Sequence, residues 1–208
     1  TIQLTSSILD FSKKYIENID NFSPDYMKNS ALNNTSILKK YFNLEKIKIF
    51  LTKFKYSLIK GYQGFQVGNP FYVSLQSFIR NLKRSMRLLF INKIYVNADE
   101  DEKYILYPLH YHPEASTSVL SKHFTDELNI LEQIAFSLPR GYKLYVKDHV
   151  SSAGYLSFSC MQKINALPNT KLISYENNTK DLIKNSEFII CLTSTVGFES
   201  LLLNKKVI

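Results

Sequence analysis

Apolar residues recur at spacings of three and four over residues 5–20, 35–60 and 73–92, as in Phe78, Leu82, Met86 and Leu89, and this spacing predicts amphipathic helices. The Asn- and Ser-rich stretch at 29–36 reads as a link between them. At the acidic cluster Asp99, Glu100, Asp101 and Glu102 the rhythm changes. Short apolar runs follow at 103–109, 142–147, 170–174 and 187–192, with a last one starting at KKVI. Amphipathic stretches near 125–137, 155–166, 179–185 and 197–203 separate them. Strand and helix alternating at this interval predict right-handed βαβ units, hence an α/β fold with a parallel sheet and helices on both faces. The expected division is a mainly helical region over 1–103 and an α/β domain over 104–208. The chain starts at Thr and stops where a strand is beginning, so it reads as a fragment whose second domain is truncated at its end.

Composition narrows the class. With 45% apolar and 21% charged residues over 208 positions, the chain is a folded object with room for a full core. Six Gly and six Pro are too few for an all-β fold built on tight turns. No run approaches the roughly 18–20 apolar residues that span a bilayer, and the first residues lack signal-peptide order. Cys160 and Cys191 form neither a disulfide framework nor a zinc spacing, which suits a reducing compartment and predicts a cytoplasmic location.

The net charge of +8 is uneven: +7 up to Lys103 against +1 beyond it. Between Lys46 and Lys93 stand 10 basic residues and no acidic one, interleaved with aromatic and aliphatic positions. Such a face attracts phosphate, whether of anionic lipid, a lipid-linked glycan or nucleic acid, unless it is simply a solvated helix surface.

In parallel sheets ligands bind beyond the carboxyl ends of the strands, so the loops there are the places to look. The first reads HYHPEASTSV. His110, His112 and Glu114 fall short of a coherent metal site, whereas Ser116 and its neighbours offer donors to an anion. The second reads KDHVSSAGY. Lys147, Asp148 and His149 are ill suited to a core and fit a cleft, with His149 as phosphate-binding cation or general acid–base group and Asp148 orienting it or capping the turn. The fourth reads CLTSTVGFES. Thr193, Ser194 and Thr195 precede a helix start where hydroxyls, unpaired N–H groups and the positive helix end meet, as a diphosphate requires. Gly197 would let a ligand approach the backbone, and Glu199, in the first turn, would accept from sugar hydroxyls or favour the helix end. Walker, dinucleotide-binding and nucleophile-elbow motifs are absent, and Cys191 reads as a core thiol.

The runs YPLHYHPEAST, LPRGYKLYVKDHV and ALPNTKLISYENNTKDLIKNSEFIICLTSTVGFESLLLNKKVI resemble the carboxyl-terminal half of bacterial capsule polysaccharide biosynthesis glycosyltransferases, the group that includes Kdo transferases. Lys147, Asp148 and His149 match that family's Lys-Glu-His-Pro, with Val150 in place of Pro. Leu167, Pro168 and Asn169 match its Leu-Pro-Asn. Ser194, Thr195, Gly197, Glu199 and Leu201 match its Gly-Thr-x-Gly-x-Glu-Ala-Leu, with Ser194 for the first Gly and Ser200 for Ala. The resemblance implies a GT-B fold with a Rossmann-like carboxyl-terminal domain, and a metal-independent glycosyltransferase. No cofactor is implied beyond the nucleotide-sugar donor, a CMP- or UDP-sugar such as CMP-Kdo, which is a substrate. His149, Ser194, Thr195 and Glu199 would hold the donor, joined by Lys147, Asp148, Thr193 and Gly197. A glycan or lipid-linked acceptor would lie near Ser116, with His112 or Glu114 as base. The basic face would keep such an enzyme at the inner face of the cell membrane. Two other readings compete: a degenerate GT-B scaffold without activity, and a nucleic-acid-binding module on residues 46–93, for which no recognition motif speaks.

Overall fold

The structure, a computed structural model, describes residues 6–18, 44–57, 70–99, 101–110, 119 and 121–208. The link at 29–36 and the loop residues 111–118 lie outside these.

Among the described residues three helices come first: α1 (Ser6–Glu17), α2 (Leu44–Ser57) and α3 (Pro70–Leu88), followed by a 3₁₀ turn at Ile91–Lys93. Then strand and helix alternate: β1 (Tyr104–Pro108), α4 (Glu127–Ser137), β2 (Lys143–Lys147), a 3₁₀ turn at Val150–Ser152, α5 (Phe158–Ala166), β3 (Thr170–Ile173), α6 (Thr179–Asn185), β4 (Phe188–Ile189), α7 (Thr195–Leu202) and β5 (Lys206–Val207). All five strands are parallel, in the order β3-β2-β1-β4-β5. This is a Rossmann-like α/β sheet, and strand order reverses between β1 and β4.

Burial follows the two-residue period of the strands. Ile105, Tyr107, Leu144, Val146 and Leu172 face one side, covered by Leu131 and Ala135 of α4 and Met161 and Ile164 of α5. Tyr104, Leu106, Tyr145, Ile173 and Ile189 face the other, covered by Leu182 and Ile183 of α6 with Val196 and Leu203 beside them. Because both faces are covered, these strands read as continuous apolar runs. The helix starts carry their own caps, Asp126, Ser157, Asn178 and Ser194, each accepting an N–H of the first turn.

Two sequence features acquire structural roles. Asn169, of the Leu-Pro-Asn motif, stands at φ +56°, a left-handed conformation that Asn tolerates. Its carbonyl accepts Leu144 N–H at 2.8 Å, and its side chain takes Lys143 Nζ at 3.2 Å, so the motif turns the chain into β3 in register with β2. The packing also runs across the acidic cluster. Ile91 is fully buried in the core under α4 and α5, and Val96 N–H donates to Leu172 O at 2.9 Å along the outer edge of β3.

Helix α3 holds the turn that follows β2. Arg84 Nε donates to Ala153 O at 2.7 Å, and Arg87 donates to Tyr155 O at 2.7 Å and Gly154 O at 3.3 Å. Gly154 sits at φ +79°, and a β-carbon there would lie 3.0 Å from Arg84 O and 3.1 Å from the Leu88 side chain. Two of the basic residues expected on a solvated face are thus committed to positioning a loop. Elsewhere α2 and α3 expose large apolar side chains, among them Leu51, Phe54, Tyr72, Leu75, Ile79, Leu82 and Met86.

Candidate active site

The switch point between β1 and β4 is tied together by His110, which ends the described part of the loop after β1 and is 6% exposed. Glu127, the first residue of α4, accepts the His110 backbone N–H at 2.9 Å and Nδ1 at 2.8 Å. His110 Nε2 faces the backbone N–H groups of Leu192 and Thr193, both at 3.3 Å. Two donors aimed at Nε2 assign the ring's proton to Nδ1, so the imidazole serves as a neutral acceptor. With both nitrogens used inside the protein, His110 is a bridge between strand ends.

The same contacts correct the reading of the α7 start. Its amides were expected to be unpaired. Leu192 and Thr193 instead donate to His110, Val196 N–H donates to Ser194 Oγ at 3.2 Å, and Gly197 N–H donates to Ser194 O at 3.1 Å. Ser194 spends its hydroxyl capping its own helix. The positive helix end remains, with Thr195 exposed at its first position. Thr193 Oγ1 is buried there with no partner among the described residues, a costly arrangement unless a ligand or water supplies one.

Gly197 has a different reason for being glycine than the one expected. A β-carbon on it would lie 2.6 Å from Cys191 Sγ, so the missing side chain lets α7 close onto the end of β4. Cys191 is core-like, its thiol pushed up by burial against the opposing N–H groups of Ser194 and Gly197. Glu199 lies beyond the first turn of α7, which contains no acidic residue, so it does not serve the helix N-terminus. Half-buried, its carboxyl is raised by desolvation, with Lys180 opposing.

Two of the triplet at the end of β2 are buried where a cleft was expected, Lys147 at 4% exposed and Asp148 at 1%, while His149 is half-buried. Asp148 is tolerated because both oxygens are bonded. Tyr95 OH donates to Oδ2 at 2.6 Å and His149 N–H to Oδ1 at 2.8 Å. Burial still raises its carboxyl, against those two bonds and Lys147. Tyr95, burdened by burial and by the Asp148 charge, is pushed far up and stays a neutral donor. Asp148 thus caps the turn through the His149 backbone. His149 Nδ1 accepts Ser151 N–H at 3.1 Å, which assigns the ring proton to Nε2. Lys147 is the least satisfied of the three: among the described residues its ammonium reaches only Asp148 O at 3.4 Å and Tyr175 O at 3.3 Å, and burial lowers its pKa to about 8. By strand alternation it shares the sheet face of Tyr145, the face that α6 and α7 cover.

His112, Glu114 and Ser116 lie outside the described residues. Sequence reasoning missed Tyr95, Glu127 and the bridging role of His110, whose partners stand 53, 17 and 82–83 positions away. The one available signal was an acidic residue opening the helix after β1.

Residues 12–208 match the sequence model of the capsule polysaccharide biosynthesis proteins. The chain belongs to that family. Among solved structures, the Thermosulfurimonas dismutans KpsC, a beta Kdo 2,7 transferase, is similar at 17% identity with a TM-score of 0.41, over 77% of this chain and 43% of its own. The chain therefore spans less than half the length of that protein. No curated protein matches the chain. Capsule family membership agrees with the order of motifs after β2, before β3 and at α7.

Proposed function

We propose that this chain carries the donor-binding domain of a GT-B glycosyltransferase of capsule polysaccharide synthesis, moving a sugar from a nucleotide-sugar to a glycan or lipid-linked acceptor. The observation that carries this reading is Lys147. A buried ammonium with two long carbonyl contacts is costly, and an anion beside it would relieve that cost. It shares the carboxyl end of the sheet with the Nε2–H of His149, the unpartnered Thr193 hydroxyl and the α7 start.

In transfer, the bond from the anomeric carbon to the donor phosphate breaks while an acceptor hydroxyl bonds to that carbon. Its electron pair stays on the departing phosphate, and the hydroxyl proton goes to a base, for which His112 and Glu114 are the candidates. Lys147, His149 and the positive end of α7 offset the charge that builds on the phosphate. Asp148 and Tyr95 keep the His149 backbone in place. Glu199, beyond the helix start, is left for the hydroxyls of the donor.

His149→Ala is expected to weaken CMP or UDP binding at least tenfold, on the order of 1.4 kcal/mol, in calorimetry of the chain. If no nucleotide binds the unaltered chain, the transferase reading falls. The internally bonded amides at the α7 start favour the second reading, a non-catalytic scaffold, and that result would select it.

We also propose that α2 and α3 rest on an anionic membrane surface at the inner face of the cell membrane. No described helix is long and apolar enough to cross a membrane. The exposed apolar residues of α3 share the helix with Arg80 and Lys83, both exposed, and no acidic residue stands between Lys46 and Lys93. Each basic residue near such a surface contributes about 1 kcal/mol. Arg80→Glu with Lys83→Glu should reduce co-sedimentation with phosphatidylglycerol vesicles at least tenfold. Equal binding to neutral phosphatidylcholine vesicles would refute the electrostatic part.

A further inference from the structure

The segment from His149 to Tyr155 has little of its own to hold it. It contains one 3₁₀ turn, Val150–Ser152, and Gly154 at φ +79°, and neither a strand nor an α-helix runs through it. Ala153 and Gly154 are nonetheless buried, so their carbonyls need donors. Those donors come from α3, 67–69 positions earlier: Arg84 Nε reaches Ala153 O at 2.7 Å, and Arg87 Nη1 reaches Tyr155 O at 2.7 Å and Gly154 O at 3.3 Å. The Arg84 guanidinium also lies over the Tyr155 ring, 4.8 Å from its centre. Three successive carbonyls are thus taken by two side chains, which suits the fixed fork of a guanidinium and not the single point of an ammonium.

We propose that Arg84 and Arg87 are positioning residues for His149, fixing the direction of its ring through this turn; the link from that ring to the donor phosphate rests on the transferase reading above. The path between them is short. Ser152 N–H and Oγ both donate to His149 O, at 3.0 and 3.2 Å, and Ser151 N–H donates to the ring Nδ1 at 3.1 Å. Tyr155 N–H closes the far end of the turn onto Ser152 O at 2.8 Å. Two serines therefore set the ring, and the turn that carries them is fastened to α3.

The anchor on the other side cannot replace this one. Tyr95 and Asp148 hold the His149 backbone N–H, and their bonds stop there. Close approach of α3 is also built into the turn, since Gly154 leaves space that a β-carbon would fill, 3.0 Å from Arg84 O and 3.1 Å from the Leu88 side chain. The helical region before the sheet thereby acts on the site at the end of β2.

The test pairs CMP or UDP calorimetry with imidazole nitrogen NMR on the same chains at about pH 8, where imidazole is ordinarily neutral. The His149 signals are those missing from His149→Ala, and in the unaltered chain they should place the ring proton on Nε2. Arg84→Lys with Arg87→Lys keeps both charges and loses the forks; it should mix the tautomers and weaken nucleotide binding by about threefold or more. Arg84→Met with Arg87→Met should reach the loss expected of His149→Ala, and in a chain that already carries His149→Ala the same pair should cost nothing further. Rescue is the second readout. His149 is extended at ψ 133° and Val150 opens the 3₁₀ turn with no bond to its N–H among the described residues, so Val150→Pro stiffens the turn without strain and should restore both affinity and tautomer in the lysine pair. An unchanged His149 tautomer in both arginine pairs, losses that add to that of His149→Ala, a shifted tautomer with unaltered affinity, or a Val150→Pro chain that regains stability without affinity would each overturn the proposal. If the methionine pair does not fold, the lysine pair carries the same readings. If no nucleotide binds any chain, the transferase reading falls, and the tautomer alone decides whether α3 positions His149.

Discussion

Gly197→Ala is expected to destabilise the chain by about 1–3 kcal/mol, although alanine is ordinarily the better helix former by about 1 kcal/mol. The new methyl would lie 2.6 Å from Cys191 Sγ, a separation that real side chains do not hold. The sulfur has little room to retreat. Cys191 N–H is bonded to Ile208 O at 3.0 Å, just past β5, while Ser200, one turn beyond Gly197, is fully buried and its hydroxyl donates to Val196 O. The helix must therefore move, carrying Ser194 and Thr195 away from the end of β4, so nucleotide affinity should fall along with stability. Removing the obstacle gives the control: in Cys191→Ala with Gly197→Ala most of the loss should be recovered, a coupling that a double-mutant cycle reads directly. Urea unfolding of the four chains measures it. If Gly197→Ala matches the unaltered chain, or if the two substitutions add, the close helix–strand approach is not what fixes glycine there.

That contact shows where sequence legibility ends. The strands were readable because both faces of a parallel sheet are covered, so KYILYPL and YKLYVK appear as unbroken apolar runs; the helices were readable from their period. The loop chemistry depends on pairings far apart in the chain. A glycine just inside a helix admits either a ligand or a neighbouring side chain, and only the position of Cys191 decides between them. Lys147 and Asp148 were placed at an open cleft because charged groups are rarely buried, a rule that fails here because Tyr95, 53 positions before Asp148, supplies a partner. The Leu192 and Thr193 amides before α7 looked available because their acceptor, His110, lies in the loop after another strand, 82–83 positions earlier. Among the basic residues, Arg84 and Arg87 share their helix with Arg80 and Lys83, and nothing local marks the first pair as anchors of the turn after β2.

Lys147→Met should separate stability from function most sharply. A methionine of similar length keeps the packing, and at pH 7 the chain should become more stable by about 1–3 kcal/mol, because a poorly paired buried charge has gone. The sign follows from the shift. Lys147 falls from 10.5 to about 8 on folding, so below about 8 both states are protonated and the folded state bears the full cost of the buried ammonium, on the order of 3 kcal/mol. Between about 8 and 10.5 the unfolded chain keeps the proton that the folded chain has lost, and stability rises with pH through that window. The variant lacks this rise, so its advantage should shrink towards pH 10; an advantage that grows with pH would contradict the burial argument. Binding should go the other way. If the ammonium holds the donor phosphate, Lys147→Met lowers CMP or UDP affinity at least tenfold. In the unaltered chain affinity then declines as pH passes about 8. A bound anion also draws the proton back onto Lys147, so binding at that pH takes up roughly half a proton, seen in calorimetry as an enthalpy that depends on the buffer. A stabilised variant that binds nucleotide as well as the unaltered chain would make Lys147 a structural burden with no part in holding the donor.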